Sequence, residues 1–118
     1  MELSKLRLEK FKHIKVVNFP TDIKIELDST DIEAEVIIYY IDKFEDVKAF
    51  VELSNSSNLP KENRTIMIYK KGRKDGVNRD SIFMPFKEHV YKGFKLKAPM
   101  LCSISKELSA CVMCKEIG

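Results

Sequence analysis

Five cations lie close together at Lys70, Lys71, Arg73, Lys74 and Arg79, inside the stretch TIMIYKKGRKDGVNRD (65–80), against two anions, Asp75 and Asp80. That combination suits the seating of an anion. Ammonium groups supply point charge, a guanidinium supplies a bidentate fork, and a helix opening at Asn78-Arg79-Asp80 would add free backbone N–H donors. The chain has 21 cations and 18 anions, and setting aside the five and two in this loop leaves 16 of each. All of the excess charge therefore sits in one place. A nucleic-acid-binding domain spreads its cations along a face or stripe, so nucleic acid is not the expected partner. The alternative for the loop is a solvated, mobile connection with no ligand.

Other constellations carry less. Gly72 and Gly76 are separated by three residues and Val77 stands where a Walker loop requires lysine, so no phosphate cradle of that type is present. Cys111-x-x-Cys114, with Cys102 and with His13 or His89, invites a zinc or redox reading. On a strand, however, residues three apart point to opposite faces, and buried cysteines behave as small apolar side chains. No Gly-x-Ser-x-Gly nucleophile elbow occurs. The aromatic residues read mainly as core, although their interleaving with lysines also resembles a base-stacking pattern.

The elements that position these residues follow from periodicity. Residues 13–19 (HIKVVNF) read as a strand closed by Pro20, and Ile23, Ile25 and Leu27 alternate with charged residues as in a half-buried strand. The short link between them forbids a parallel crossover, leaving the second segment antiparallel or an irregular edge. Residues 35–42 (EVIIYYID) form a continuous β-branched and aromatic run, the composition of a strand covered on both faces. Phe44, Val47, Phe50, Val51 and Ser54 then have helical spacing, with Asp42 as N-cap and Glu45 completing a capping box. Residues 64–70 form the next buried strand, making a right-handed βαβ unit with adjacent, parallel strands. Residues 81–86 fit either a hairpin strand or a helix capped at Asn78 or Asp80, broken near Pro85 and resumed toward His89 and Tyr91. Residues 95–104 and 108–116 read as two strands joined by Ser105-Lys106-Glu107, with a helix over 106–115 as the alternative. Leu3 and Leu6 suggest a short helix or an extended arm.

Asn18-Phe19-Pro20, residues 36–40, residues 66–71 and Arg79-Asp80 resemble a family of small bacterial proteins of unknown function. Its members have an Asn-x-Pro after the first strand, a strand ending in Tyr-Pro-Lys-Lys, an Arg-Asp-headed helix and a final hairpin. This chain has Lys70 where the family has proline, and Leu108-Ser109 or Ala110 where it often has Trp-Ser. The resemblance favours a helix after Asn78. It also implies a sheet similar to the carboxy-terminal half of class I methyltransferases. The expected fold is therefore α/β: a small Rossmann-like mixed, mostly parallel sheet with an antiparallel C-terminal hairpin.

Cofactor binding on such a sheet needs a glycine-rich turn after the first strand. Residues 18–22 (NFPTD) contain no glycine, so no cofactor is expected, neither S-adenosylmethionine nor a dinucleotide. With 118 residues, 44% hydrophobic and 33% charged, the chain suits one soluble α/β domain over 1–118. The absence of an apolar leader, the short apolar runs and three unpaired cysteines lead us to expect a cytoplasmic protein with no membrane partner. Three strand ends converge at the carboxyl edge, so the candidate ligand site comprises Asn18, Asp42, Lys70, Lys71, Arg73, Lys74 and Arg79. Alanine at Lys71, Arg73 and Arg79 is expected to spare stability and remove any anion response. The leading function is a non-catalytic binding or interaction module with a small anionic ligand, a protein partner or a second copy of the chain. The rival is a small enzyme acting on a phosphorylated or carboxylated metabolite, using Arg79, Asp80 and the Lys70–Lys74 loop.

Overall fold

The strongest sequence signal forms the centre of the structure, a computed structural model that describes residues 2–30 and 33–117. Strand β2 (Val36–Ile41) is buried along its whole length. Helix α1 (Phe44–Ser56) follows, and β3 (Arg64–Lys70) returns parallel to β2, with Val36 opposite Arg64 and Ile41 opposite Tyr69. Strand β1 (Ile14–Val17) pairs parallel with the outer side of β2. Beyond β3 come helix α2 (Arg79–Lys87) and the hairpin β4 (Phe94–Ser103) and β5 (Leu108–Lys115). The order across the sheet is β1-β2-β3-β5-β4. Two pairings are parallel and two antiparallel, so the sheet is evenly mixed by pairing rather than mostly parallel. By strand direction, only β5 runs against the other four.

Alternation along the strands divides the core in two. Ile37, Tyr39, Ile41, Met67, Tyr69, Cys111 and Met113 face α1 and α2, and Phe50, Ile82 and Phe86 fill the space between. On the other face lie Ile38, Tyr40, Ile66, Ile68, Ala110 and Val112, covered by Leu6, Leu8 and Phe11 of the N-terminal arm and by Ile23, Ile25 and Leu27. The arm opens with a 3-10 turn, Leu3–Leu6.

Residues 23–27 alternate in burial yet form no strand. Neither option left open by their short link, an antiparallel strand or an irregular edge, describes them, because they lie over one face of the sheet. Their side chains cap the core while the free edge of β1 is met further on: the Ser29 hydroxyl accepts from Val16 N–H at 3.0 Å, and Thr30 N–H donates to the Ile14 carbonyl at 2.9 Å.

The caps differ from expectation at α1 and agree at α2. Lys43, not Asp42, is the N-cap of α1. The carboxylate that reaches back is Asp46, not Glu45, accepting from Asp42 N–H at 2.8 Å and Lys43 N–H at 3.1 Å. It fills the N3 role of a capping box, which leaves the Asp42 side chain free to meet the loop after β3. At α2 the Asn78 side chain accepts from Ser81 N–H, and the Ser81 hydroxyl accepts from Asn78 N–H, both at 3.0 Å. This reciprocal cap makes the ambiguous segment helical. Pro85 does not break the helix, which runs on to Lys87; only the bond that Pro85 would give one turn back is lost. No second helical piece follows, because His89 (φ 58°) and Gly93 (φ 85°) turn the chain into β4. The hairpin turn is tight, with Ile104 N–H on the Leu108 carbonyl at 3.1 Å.

Two polar side chains fasten the opposite, amino edge. Asn63, fully buried, donates to the carbonyls of Pro60 (2.8 Å) and Lys115 (3.0 Å) and accepts from Lys115 N–H (2.7 Å). Glu35 accepts from Lys12 N–H (2.8 Å) and His13 N–H (3.0 Å), and these bonds hold its carboxyl below the usual carboxylate range. A depressed native pKa stabilises the fold above the unfolded value and loses that effect as pH falls through the native one. Glu35→Gln, which keeps the acceptor without the titration, is expected to flatten the acid limb of the stability curve below about pH 4.3. Urea midpoints measured between neutral and acid pH would check this; parallel curves for parent and variant would refute it.

Candidate functional site

The carboxyl ends of β1, β2 and β3 meet at one edge of the sheet, and two clefts open there on either side of the end of β3. Asn18, in the left-handed region at φ 67°, ties β1 to β2 by donating from Nδ2 to the Tyr40 carbonyl at 2.9 Å. It lines the first cleft, about 440 Å³, with Asp42 and Lys70. Asp22 and Asp46 also line it, so three carboxylates face two lysines, Lys43 and Lys70. Coulomb repulsion disfavours an anion there.

Arg73 lines neither cleft. The loop turns at Gly72 and Gly76, both at positive φ where a side chain would be strained, and folds back so that the guanidinium reaches the end of β2. There it bonds the Asp42 carbonyl, the Asp42 carboxylate at 3.3 Å and the Asp75 carboxylate. Asp75 holds the Arg73 guanidinium above its ordinary pKa and is itself pulled below the carboxylate range, with Val77 N–H adding a further bond. With its side chain only 21% exposed, Arg73 is a latch between loop and sheet. Lys71 is also engaged, through its Nζ on the Ser105 carbonyl at 2.7 Å and on the Ser103 hydroxyl. Alanine at either position removes bonds that tie the loop to the sheet or to the β4–β5 turn, so these changes are expected to cost some stability rather than to spare it. Lys74 lies outside both clefts.

The second cleft, about 340 Å³, lies between β3 and the start of α2 and is lined by Tyr69, Lys70, Lys71, Gly72, Asn78, Arg79, Asp80 and Ser109. Lys70, Lys71 and Arg79 here face one carboxylate, Asp80. Arg79 and Asp80 form an ion pair at 3.4 Å in which both side chains are largely exposed, an arrangement worth little in water. The Asn78 cap satisfies Ser81 N–H, while the N–H groups of Arg79 and Asp80 have no acceptor among the described residues. At the floor lies Tyr69, only 2% exposed, its hydroxyl buried beside the Ser109 side chain of β5.

Thus the seven sequence-predicted residues do not line one cleft. Asn18 and Asp42 belong to the first cleft, Lys71 and Arg79 to the second, and Lys70 to both. Tyr69, Asn78 and Ser109 of the second cleft were not among the candidate site residues. The signal for Tyr69 was available: it is the last core-facing residue of β3, next to the cationic loop. The cysteines and histidines do not converge, and among the described residues no group of three metal-ligating side chains occurs. Burial pushes the Cys111 thiol up to about 12, as befits an inert core residue. Among the described residues no helix is long and apolar enough to cross a membrane.

No protein-family model matches the chain, and searches of curated proteins and of solved structures find no match.

Proposed function

We propose that the protein is a non-catalytic binding module on a small Rossmann-like sheet, and that its ligand is a small oxyanion seated between β3 and α2. The observation that carries the reading is that Lys70, Arg79 and the first turn of a capped nine-residue helix, two of whose N–H groups have no acceptor among the described residues, line one cleft. Charge and helix-end donors act together at such a place. A sheet in which only the next-to-edge strand β5 is reversed supports the likeness to the carboxy-terminal half of class I methyltransferases. The β1–β2 corner, with Pro20 and three carboxylates, favours neither S-adenosylmethionine nor a dinucleotide. The enzyme alternative calls for an acid or base in an enclosed pocket, whereas Asp80 has a side chain that is 78% exposed.

Inorganic phosphate tests this reading. At ten times its dissociation constant it should stabilise the fold by about 1.4 kcal/mol, or a few degrees in melting temperature, at constant ionic strength. A Lys70→Ala/Arg79→Ala double variant should melt close to the parent without phosphate, since neither side chain holds the fold together, and should lose the response. Equal responses to phosphate and chloride, or an unchanged response in the variant, would refute the site.

A further inference from the structure

We propose that the N-terminal arm, residues 2–13, is an acid-sensitive strap over one face of the sheet, and that protonation of Glu35 and Glu62 at its root loosens it while the rest of the fold stays assembled. The arm crosses from the carboxyl edge to the amino edge. At its tip, Glu2 N–H donates to the Ile104 carbonyl at 2.5 Å and Lys5 Nζ to the Ser103 carbonyl at 3.0 Å, both at the β4–β5 turn. At its root, Lys10 Nζ donates to Glu62 Oε1 at 2.6 Å, and Glu35 accepts from the N–H groups of Lys12 and His13. From Leu3 to Phe11 the backbone makes no bond to the sheet among the described residues. Its bonds stay inside the arm, with Arg7 N–H on the Ser4 carbonyl at 3.2 Å and Phe11 N–H on the Leu8 carbonyl at 3.0 Å. What holds the middle is burial of Leu6, Leu8 and Phe11 on the sheet face that carries Ile38, Ile66 and Val112. A segment held in this way can open as a unit at a lower free energy than the whole domain. The core between the sheet and the two helices lies on the other face and is untouched when the arm lifts.

Both carboxylates belong to the body of the fold, Glu35 just before β2 and Glu62 in the connection from α1 to β3, and both answer groups of the arm. A neutral carboxyl accepts more weakly than a carboxylate, so protonated Glu35 slackens its hold on Lys12 and His13. At Glu62 the loss of charge leaves a repulsion. Its Oε1 is shared by Lys10 of the arm, at 2.6 Å, and Arg64 of β3, at 3.1 Å, and both cations lie over the Phe11 ring, 5.3 and 5.4 Å from its centre. Without the carboxylate, arm and strand present like charges to each other. Lys12 and His13 are the titratable groups that face Glu35, and Lys10 and Arg64 those that face Glu62. Glu33, which lines the same hollow as Glu35, is engaged by Asn58 Nδ2 at 3.0 Å. Glu35, chiefly through the Lys12 N–H, and Glu62, chiefly through Lys10, are held below the usual carboxylate range. Docking is therefore favoured above the free value of about 4.3, and that contribution is lost as pH falls through the docked ones.

Two cysteines separate opening of the strap from unfolding. Cys102 packs on the arm-covered face near Lys5, whereas Cys111 is fully buried on the helix-covered face. The experiment follows labelling by dipyridyl disulfide, which reacts with thiols in acid, on the full chain at about pH 7 and about pH 3.5. Each rate is taken relative to the chain unfolded in urea at the same pH, and mass spectrometry locates the labelled cysteine. The relative rate at Cys102 is expected to rise about tenfold in acid, the scale on which charge-assisted bonds weaken to neutral ones, while Cys111 stays protected. In a Glu35→Gln/Glu62→Gln variant, which cannot titrate at either position, the rise should fall to about twofold or less. Leu6→Ala, which weakens the strap without touching the carboxylates, should expose Cys102 already at neutral pH, with Cys111 again protected. Equal rises at Cys102 and Cys111 would show that the arm opens only with the whole sheet and would overturn the inference. So would a rate at Cys102 that ignores pH, or a rise that the double variant leaves intact.

Discussion

Phe50→Ala is expected to lower the free energy of unfolding by about 3–5 kcal/mol, the range for removing a fully buried aromatic side chain. Phe50 is 0% exposed and its ring lies 6.2 Å from that of Tyr39, 6.1 Å from Phe86 and 5.8 Å from Phe94. It therefore joins α1 to β2, α2 and the start of β4. Several elements converge on the hole that alanine would leave, and they cannot all collapse into it at once. For a domain with about 5–15 kcal/mol in hand, the loss would remove a large share of the stability. Urea unfolding followed by circular dichroism would measure it, as the chain has no tryptophan to serve as a fluorescent probe. Phe50→Leu, which refills most of the space, should cost less than the alanine change. A shift of under about 1 kcal/mol for Phe50→Ala would mean that the four rings are not a shared core.

Asn63→Ala should cost about 2–4 kcal/mol despite removing only a small polar side chain, since each buried group left unpaired costs about 1–3 kcal/mol. The Asn63 amide faces the N–H and C=O of Lys115 as a backbone amide would, prolonging the β3–β5 ladder past its last paired residues, Thr65 and Met113. It also holds the Pro60 carbonyl, the point where the connection from α1 enters β3. Asn63→Asp separates the roles. The new carboxylate can accept from Lys115 N–H but cannot donate to either carbonyl, and burial would raise its pKa. Relative to the parent, its destabilisation should therefore grow as pH rises from 4 to 7, the sign for a group whose native pKa lies above the unfolded one. A pH-independent deficit, or one as small as that of a surface substitution, would refute this account.

The sheet centre was legible because long, strongly patterned segments leave few alternatives. Residues 64–70 coincide with β3, and the segment 35–42 contains β2, whose bounds are those of its apolar run. Alternation at 23–27 was also a true signal of one-sided burial, but burial does not require ladder hydrogen bonds. The fate of residues 81–86 hung on the cap between Asn78 and Ser81, since periodicity over six residues fits both a strand and a helix. The candidate site was harder to read for a physical reason: formal charges add along a sequence whether or not they are paired in space. Arg73 is offset by Asp42, 31 positions away, and no local pattern announces that contact. Tyr69 was hidden in the opposite way. Its ring belongs to the core, and it lines the second cleft only because α2 begins beside the end of β3.

β3 has a neighbouring strand on each side, and Ile66, Met67 and Ile68 have no exposed surface. Amides in such a place become accessible only when the whole sheet comes apart, whereas short loops and helix starts open far more often. The second cleft joins these two regimes. Its floor, from Tyr69, belongs by burial to the part that opens with the whole sheet, while its rim, from Gly72 to Asp80, lies in a loop and helix start, the kind of segment that opens more readily. An entering molecule would meet one wall that is already in place and one that must settle around it. Adaptation is thus confined to the rim, and the ordering entropy of binding falls on fewer than ten residues rather than on the domain.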